Sequence, residues 1–130
     1  MANRRENYLT AANIRYLIAV KEIDPEGIGV RCVDVAARLR LSRPSVHNML
    51  DTLVGLGLMS RSAAGVALLT EKGEAVAEQY TRYFGTVSAM LSENFAGLEK
   101  PETAACALMA EMPMEQLETF VLSRRRKRRA

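Results

Sequence analysis

The chain has no tryptophan, 5% aromatic residues, two cysteines and a single histidine in 130 residues. So few aromatics imply a mainly aliphatic core, drawn from a hydrophobic content of 48%. Cys32 and Cys106 make neither a disulfide framework nor a zinc motif, so both are expected to be reduced. Cys106 has no basic cluster beside it in sequence to lower its pKa, and a small buried hydrophobe is the expected role of both thiols. No run of about 18 apolar residues occurs, so no transmembrane helix is expected. Residues Met1 to Leu9 lack an apolar signal region, which favours a cytoplasmic location. Neither a phosphate-binding glycine loop nor a Cys–His or Ser–His pairing stands out, and the chain is read as a non-enzyme.

Charge is present but unevenly placed. Residues 1–70 carry nine Lys/Arg against six Asp/Glu, whereas residues 71–123 carry three against nine. The end of the chain from Arg124 adds six cations, and the total is +3. A basic first half is drawn to phosphate and an acidic second half is repelled by it. That polarity suits one DNA-facing end and one remote end.

Residues 30–73 carry the strongest pattern. Val33, Val35, Ala36 and Leu39 fall at helical spacing, and Leu41-Ser42 breaks the run. Ser42 is a good N-cap for a second helix, and Pro44 sits where its missing N–H costs nothing. Val46, Leu50, Leu53 and Val54 continue an apolar face, opposite Arg43, Ser45, His47, Asn48 and Asp51. Gly55 and Gly57 offer stops. Leu58-Met59 and Val66 to Leu69 read as two strands joined at Ser62 to Gly65, and Thr70 caps the next helix. Helix, turn, helix and a two-stranded ribbon form the order of a winged helix-turn-helix. A buried hairpin has no need of short polar side chains at the start of its second helix. A recognition helix needs them, because base edges are read by close donors and acceptors.

The flanking segments read as helices over 6–23 and 71–95, with further helices opening at Pro101 and Pro113. The fold class is therefore mainly α: a winged helix-turn-helix domain over residues 1–72 and an all-α dimerisation domain over 73–123. A basic tail, 124–130, is expected to be disordered. The apolar stripes of the second half imply burial against the first half or against a second copy. A homodimer is favoured, since two-fold pairing doubles the contact with DNA.

Several motifs together resemble the diphtheria toxin repressor and manganese transport regulator family of metal-dependent repressors. They are Glu6-Asn7-Tyr8-Leu9, Leu41-Ser42-Arg43-Pro44-Ser45-Val46, Leu69-Thr70-Glu71-Lys72-Gly73, Ala105-Cys106 and Met112-Pro113. The likeness spans nearly the whole chain, and the chain ends where the short, manganese-type members end. It implies double-stranded DNA as partner and repression as the outcome, with Ser42, Pro44, Ser45 and Asn48 at DNA-touching positions. Asn48 can read adenine bidentately, and the serines can reach phosphate or base edges. Arg43 is read as a phosphate or guanine contact or a solvated side chain. His47 is read as facing DNA or solvent, and Arg61 as a phosphate or minor-groove contact in the wing.

The resemblance also implies Mn²⁺ or Fe²⁺ as cofactor, and here the residues depart from it. The first-helix ligand position is Asn7, and the Glu beside it in manganese-type members is Thr10. The histidine of the long helix is replaced by Tyr83. The later ligand motif falls on Ala104, Cys106, Met109 and Ala110. Asn7, Cys106 and Met109 make a degenerate set, poor for Mn²⁺ or Fe²⁺, although Cys106 and Met109 suit a softer ion. The expectation is an operator-binding homodimer without the usual metal switch. The alternatives are a metal-responsive repressor with a rebuilt site, and an interaction module that has lost specific DNA binding. The basic end is read as adding sequence-independent DNA affinity, or else as a solubilising end.

Overall fold

The computed structural model describes residues 9–129, with side chains from 9 to 127. The fold is mainly helical. It runs α1 (Ala11–Ile23), α2 (Cys32–Leu39), α3 (Arg43–Gly55), β1 (Met59–Arg61), β2 (Ala67–Leu69), α4 (Glu71–Asn94), α5 (Pro101–Glu111) and α6 (Met114–Arg129). The architecture is a winged helix-turn-helix joined to a helical part. The chain divides into two compact units. One is Tyr16–Gln79; the other joins the residues through Arg15 to those from Tyr80 onward.

In the first unit, α2 packs on α3, and β1 packs on both β2 and α3. Local chemistry sets these elements. Arg40 ends α2 in the left-handed region at φ 56°, a conformation that costs a non-glycine residue roughly 1–2 kcal/mol. The turn then reaches Ser42, whose hydroxyl accepts the Ser45 N–H at 3.3 Å and opens α3. Val46, Leu50 and Leu53 are buried along one face, as their spacing requires. Gly57, at φ 78°, turns the chain into β1. The antiparallel ribbon pairs Met59 with Leu69 and Arg61 with Ala67, and a bridge from Val30 to Ala67 adds a third, minimal strand. Asp24, buried, accepts the Ile28 and Gly29 N–H groups at 2.9 and 2.7 Å and so shapes the loop before Val30.

Thr70 closes the wing and opens α4. Its hydroxyl donates to the Gly57 carbonyl at 2.7 Å and accepts the Gly73 N–H at 3.0 Å. Gly73 lies so close to the Leu58 carbonyl that any Cβ there would meet backbone. Lys21 of α1 pairs with Glu74 and Glu78 on the first turns of α4.

The second unit has its own core. Ile14, Tyr80, Tyr83, Val87, Ala105, Met109, Leu117 and Val121 are all buried. Tyr80 and Tyr83 meet edge to face, with ring centroids 6.1 Å apart.

Three differences from the sequence expectation have local causes. Leu9 and Thr10, read as helical, lie ahead of the helix that starts at Ala11, and residues 6–8 lie outside the described residues. A reciprocal cap accounts for the start. The Thr10 hydroxyl accepts the Asn13 N–H, and the Asn13 side chain accepts the Thr10 N–H, each at 3.0 Å. Val33, assigned to an apolar stripe, is exposed, because α2 buries only Val35 and Ala36. The basic end, expected to lack regular structure, is helical as far as Arg129. Arginine and lysine are good helix formers, and Arg124 is anchored to Glu93 at 2.9 Å.

Candidate nucleic-acid interface

The exposed polar surface of the helix-turn-helix is the start of α3. Ser42, Arg43, Pro44, Ser45, His47 and Asn48 are all exposed there, while Val46 and Leu50 fix the helix from behind. The Ser42 and Ser45 hydroxyls lie 2.9 Å apart, so the cap is a pair of hydroxyls at the positive end of the helix. Three N-terminal features hold this end in place: the cap, Pro44 in the first turn, and a bond from the Cys32 thiol to the Arg43 carbonyl at 3.5 Å. Cys32 is thus half-exposed and ties α2 to α3, which corrects its expected role as a buried hydrophobe.

One turn further along α3, the side chains engage the wing. Arg61 of β1 approaches the His47 ring Nδ1 at 3.3 Å, donates to the His47 carbonyl at 3.4 Å, and lies 3.4 Å from Asp51. Asp51 also lies 3.5 Å from His47 Nε2. The structure therefore places Arg61 against α3. Asp51 is the member that site selection by sequence missed. Its signal was the four-residue spacing from His47, which puts both on one helical face.

The positions implied as metal ligands fall elsewhere. Asn7 lies outside the described residues. Thr10 caps α1, and its hydroxyl is used by the backbone. Cys106 and Met109 are buried on α5. Burial pushes the Cys106 thiol up to about 11, with Arg15 opposing and Glu102 reinforcing the shift, so it remains a neutral thiol at physiological pH. Tyr83, at the position of the family's histidine, donates its hydroxyl to Glu118 at 2.8 Å. Arg82 donates to both oxygens of the same carboxylate, at 2.9 and 3.0 Å. Those bonds hold Glu118 below the ordinary carboxylate range, Tyr83 contributing most and Arg82 next. Burial, and then Glu118, push Tyr83 up to about 12.

A hard divalent cation wants anionic oxygens and imidazoles. The described positions instead offer a hydroxyl used by the backbone at Thr10, a phenol bonded to Glu118 at Tyr83, a protonated thiol at Cys106 and a thioether at Met109. The described residues do not fit Mn²⁺ or Fe²⁺. No group of three or more His, Cys, Asp or Glu side chains among them is placed to hold a metal ion.

No helix among the described residues is long and apolar enough to cross a membrane. The IclR helix-turn-helix domain family matches residues 24–62, which run from the loop before α2 to just past β1. That is a different helix-turn-helix family from the metal-dependent repressors. Among curated proteins there is no match. Among solved structures, T. acidophilum IdeR is similar, with a TM-score of 0.62 at 21% identity over 85% of this chain and 52% of that one. The chain thus spans about half the length of T. acidophilum IdeR. A hypothetical protein from Sulfolobus solfataricus is similar at a TM-score of 0.61 and 16% identity, over 87% of this chain and 89% of its own. At such identities the likeness is one of fold. The matched helix-turn-helix domain and the shared fold together support a DNA-binding transcriptional regulator.

Proposed function

We propose that the chain binds operator DNA as a homodimer and represses transcription, without the Mn²⁺ or Fe²⁺ switch of the family it resembles. The observation that carries the reading is the exposed polar start of α3, held rigid by the Ser42 cap and backed by buried Val46 and Leu50. In this reading residues 1–72 read DNA and residues 73–123 dimerise. Asn48 reads a base edge, Ser42, Ser45 and Arg43 contact phosphate or base edges, and His47 faces the groove beside them. Arg61 holds the wing against α3 and reaches phosphate from there. Exposed Phe95, Leu98 and Leu122 supply apolar surface for a second copy. Independence from metal is supported by the neutral Cys106 thiol and by the Tyr83–Glu118 bond at the expected ligand position.

Selection of bound sequences from a random duplex pool, with and without chelator, tests the proposal. A recovered sequence with two-fold symmetry, the same in both arms, is expected. Asn48→Ala should lose preference at one base pair per half-site by about tenfold or more, the value of a bidentate contact of about 1–3 kcal/mol. Recovery only in the metal-loaded arm overturns metal independence, and recovery of no sequence overturns operator recognition.

A further inference from the structure

Between α4 and α6 lies an open groove of about 240 Å³, lined by Arg82, Gly85, Thr86, Ala89, Arg124 and Arg125. Two ion pairs build it. Arg82 grips Glu118 through both oxygens, and Arg124 grips Glu93 at 2.9 Å. Those two carboxylates are engaged, and no acidic residue follows Glu118 in the chain. Arg125, Arg126 and Lys127 are exposed and continue the cationic surface from the groove along α6. Successive residues of a helix point about 100° apart, so these three cations spread around the rod. The groove floor is small-sided: a Cβ on Gly85 would meet nothing within 4 Å, and Thr86 adds a hydroxyl.

We propose that this groove and the cationic end of α6 form a second DNA contact, sequence-independent and made to backbone phosphates. It is separate from the start of α3, and it rests on the proposed function only in taking duplex DNA as the partner. Arg125 feels the Glu118 carboxylate only through space, so a phosphodiester group can take up its guanidinium, and the groove has room for one with several waters of about 30 Å³ each. Arginine forks match phosphate oxygens bidentately, and Thr86 can donate one further bond. The rest of the helical half is acidic, so this site is the region of that half that attracts DNA.

The test measures affinity for two duplexes, one carrying the sequence most enriched by selection and one unrelated to it, across a series of salt concentrations, using the full chain. The variants are Arg125→Ala/Arg126→Ala/Lys127→Ala, Gly85→Glu and Gly85→Ala. Alanine preserves the helix, and circular dichroism checks that each variant folds. The triple variant should lose affinity for both duplexes by the same factor, about tenfold. Its log–log salt slope should shrink by about 0.9 for each phosphate that is no longer neutralised. Gly85→Glu, which sets a carboxylate in the groove, should weaken both duplexes, while Gly85→Ala should match the parent. An unchanged slope in the triple variant, or equal behaviour of Gly85→Glu and Gly85→Ala, overturns the proposal. So does a triple variant that no longer binds phosphatidylglycerol vesicles while its DNA binding is intact. A parent that binds both duplexes equally, with a slope that the triple variant lowers, sinks operator reading and keeps this second site. A parent that prefers one duplex, with a slope that the triple variant leaves alone, does the reverse.

Discussion

The Arg61 guanidinium of β1 lies 3.4 Å from the Asp51 carboxylate of α3, and its other nitrogens reach the His47 ring and carbonyl. The wing and α3 are therefore tied by one cation, on the surface proposed to meet the duplex. Asp51 is half-exposed, so the pair is worth less than about 1 kcal/mol in stability. Its larger effect is electrostatic, because Asp51 sets an anion on the face of α3 proposed to approach phosphate. Asp51→Asn should leave chemical unfolding nearly unchanged and tighten binding to every duplex about two- to fivefold at low salt. Weaker binding, measured by fluorescence anisotropy, would show that holding Arg61 in place matters more than the charge.

Loss of the α3 cap should cost stability as well as function. Ser42→Ala removes the acceptor of the Ser45 N–H and the partner of the Ser45 hydroxyl. A loss of about 1 kcal/mol is expected in urea unfolding. Ser42→Asp should restore the stability by capping, yet lower DNA affinity, because it adds an anion beside phosphate. Equal recovery of both properties would place Ser42 away from the DNA.

Gly73 sits in the first turns of α4, where alanine would ordinarily gain about 1 kcal/mol. Here a Cβ would meet the Leu58 backbone, which cannot rotate out of the way as a side chain would. The clash wins, and Gly73→Ala should destabilise by about 2–3 kcal/mol, separating Leu58 from α4. Gly85→Ala on the same helix, with open space around it, should stabilise. Thermal melts of the two variants side by side check the opposite signs.

The Tyr83–Glu118–Arg82 cluster makes stability depend on acid. The folded state lowers the Glu118 pKa below its ordinary 4.5, so the contribution is present above that value and is lost as pH falls through the lower folded value. Glu118→Gln should therefore show a smaller fall in melting temperature than the parent between pH 5 and pH 3, and a lower melting temperature at pH 7. Tyr83 behaves in the opposite sense. Its raised value of about 12 gives a contribution that is complete below 10 and is lost as pH rises through 12. Parallel melting curves for parent and variant across the acid range would contradict the assignment.

The two thiols should separate cleanly. Cys32 is half-exposed on α2, whereas Cys106 is buried and its thiol is pushed up to about 11. A thiol reagent at pH 8 should modify Cys32 within minutes in the native protein and Cys106 only after unfolding. Added Mn²⁺ should change neither rate, and calorimetric titration with Mn²⁺ should show no stoichiometric binding. Protection of Cys106 by the metal would reverse that conclusion.

Much of the helix-turn-helix was legible in sequence because its signals are local. Ser42 and Pro44 open α3 by chemistry that acts within one turn, Val46, Leu50 and Leu53 declare its buried face by spacing, and Ser62 to Gly65 closes the hairpin. The exposed set from Ser42 to Asn48 follows from the same periodicity. The start of α1 was less legible, because the Thr10–Asn13 cap outweighs the apolar spacing that includes Leu9.

What the sequence by itself determined is the class of the fold: a mainly α winged helix-turn-helix chain with exposed polar side chains at the start of α3. Tertiary structure alone decided which charges are occupied. Arg61 turns to Asp51 and His47, and Tyr83 meets Glu118 across 35 residues. Arg82 and Arg124 are drawn to Glu118 and Glu93, which leaves the cations beyond them facing solvent. Periodicity reports which face of a helix is buried. The partner of a long, charged side chain depends on which other element reaches within about 4 Å of it, and only the packed chain settles that distance.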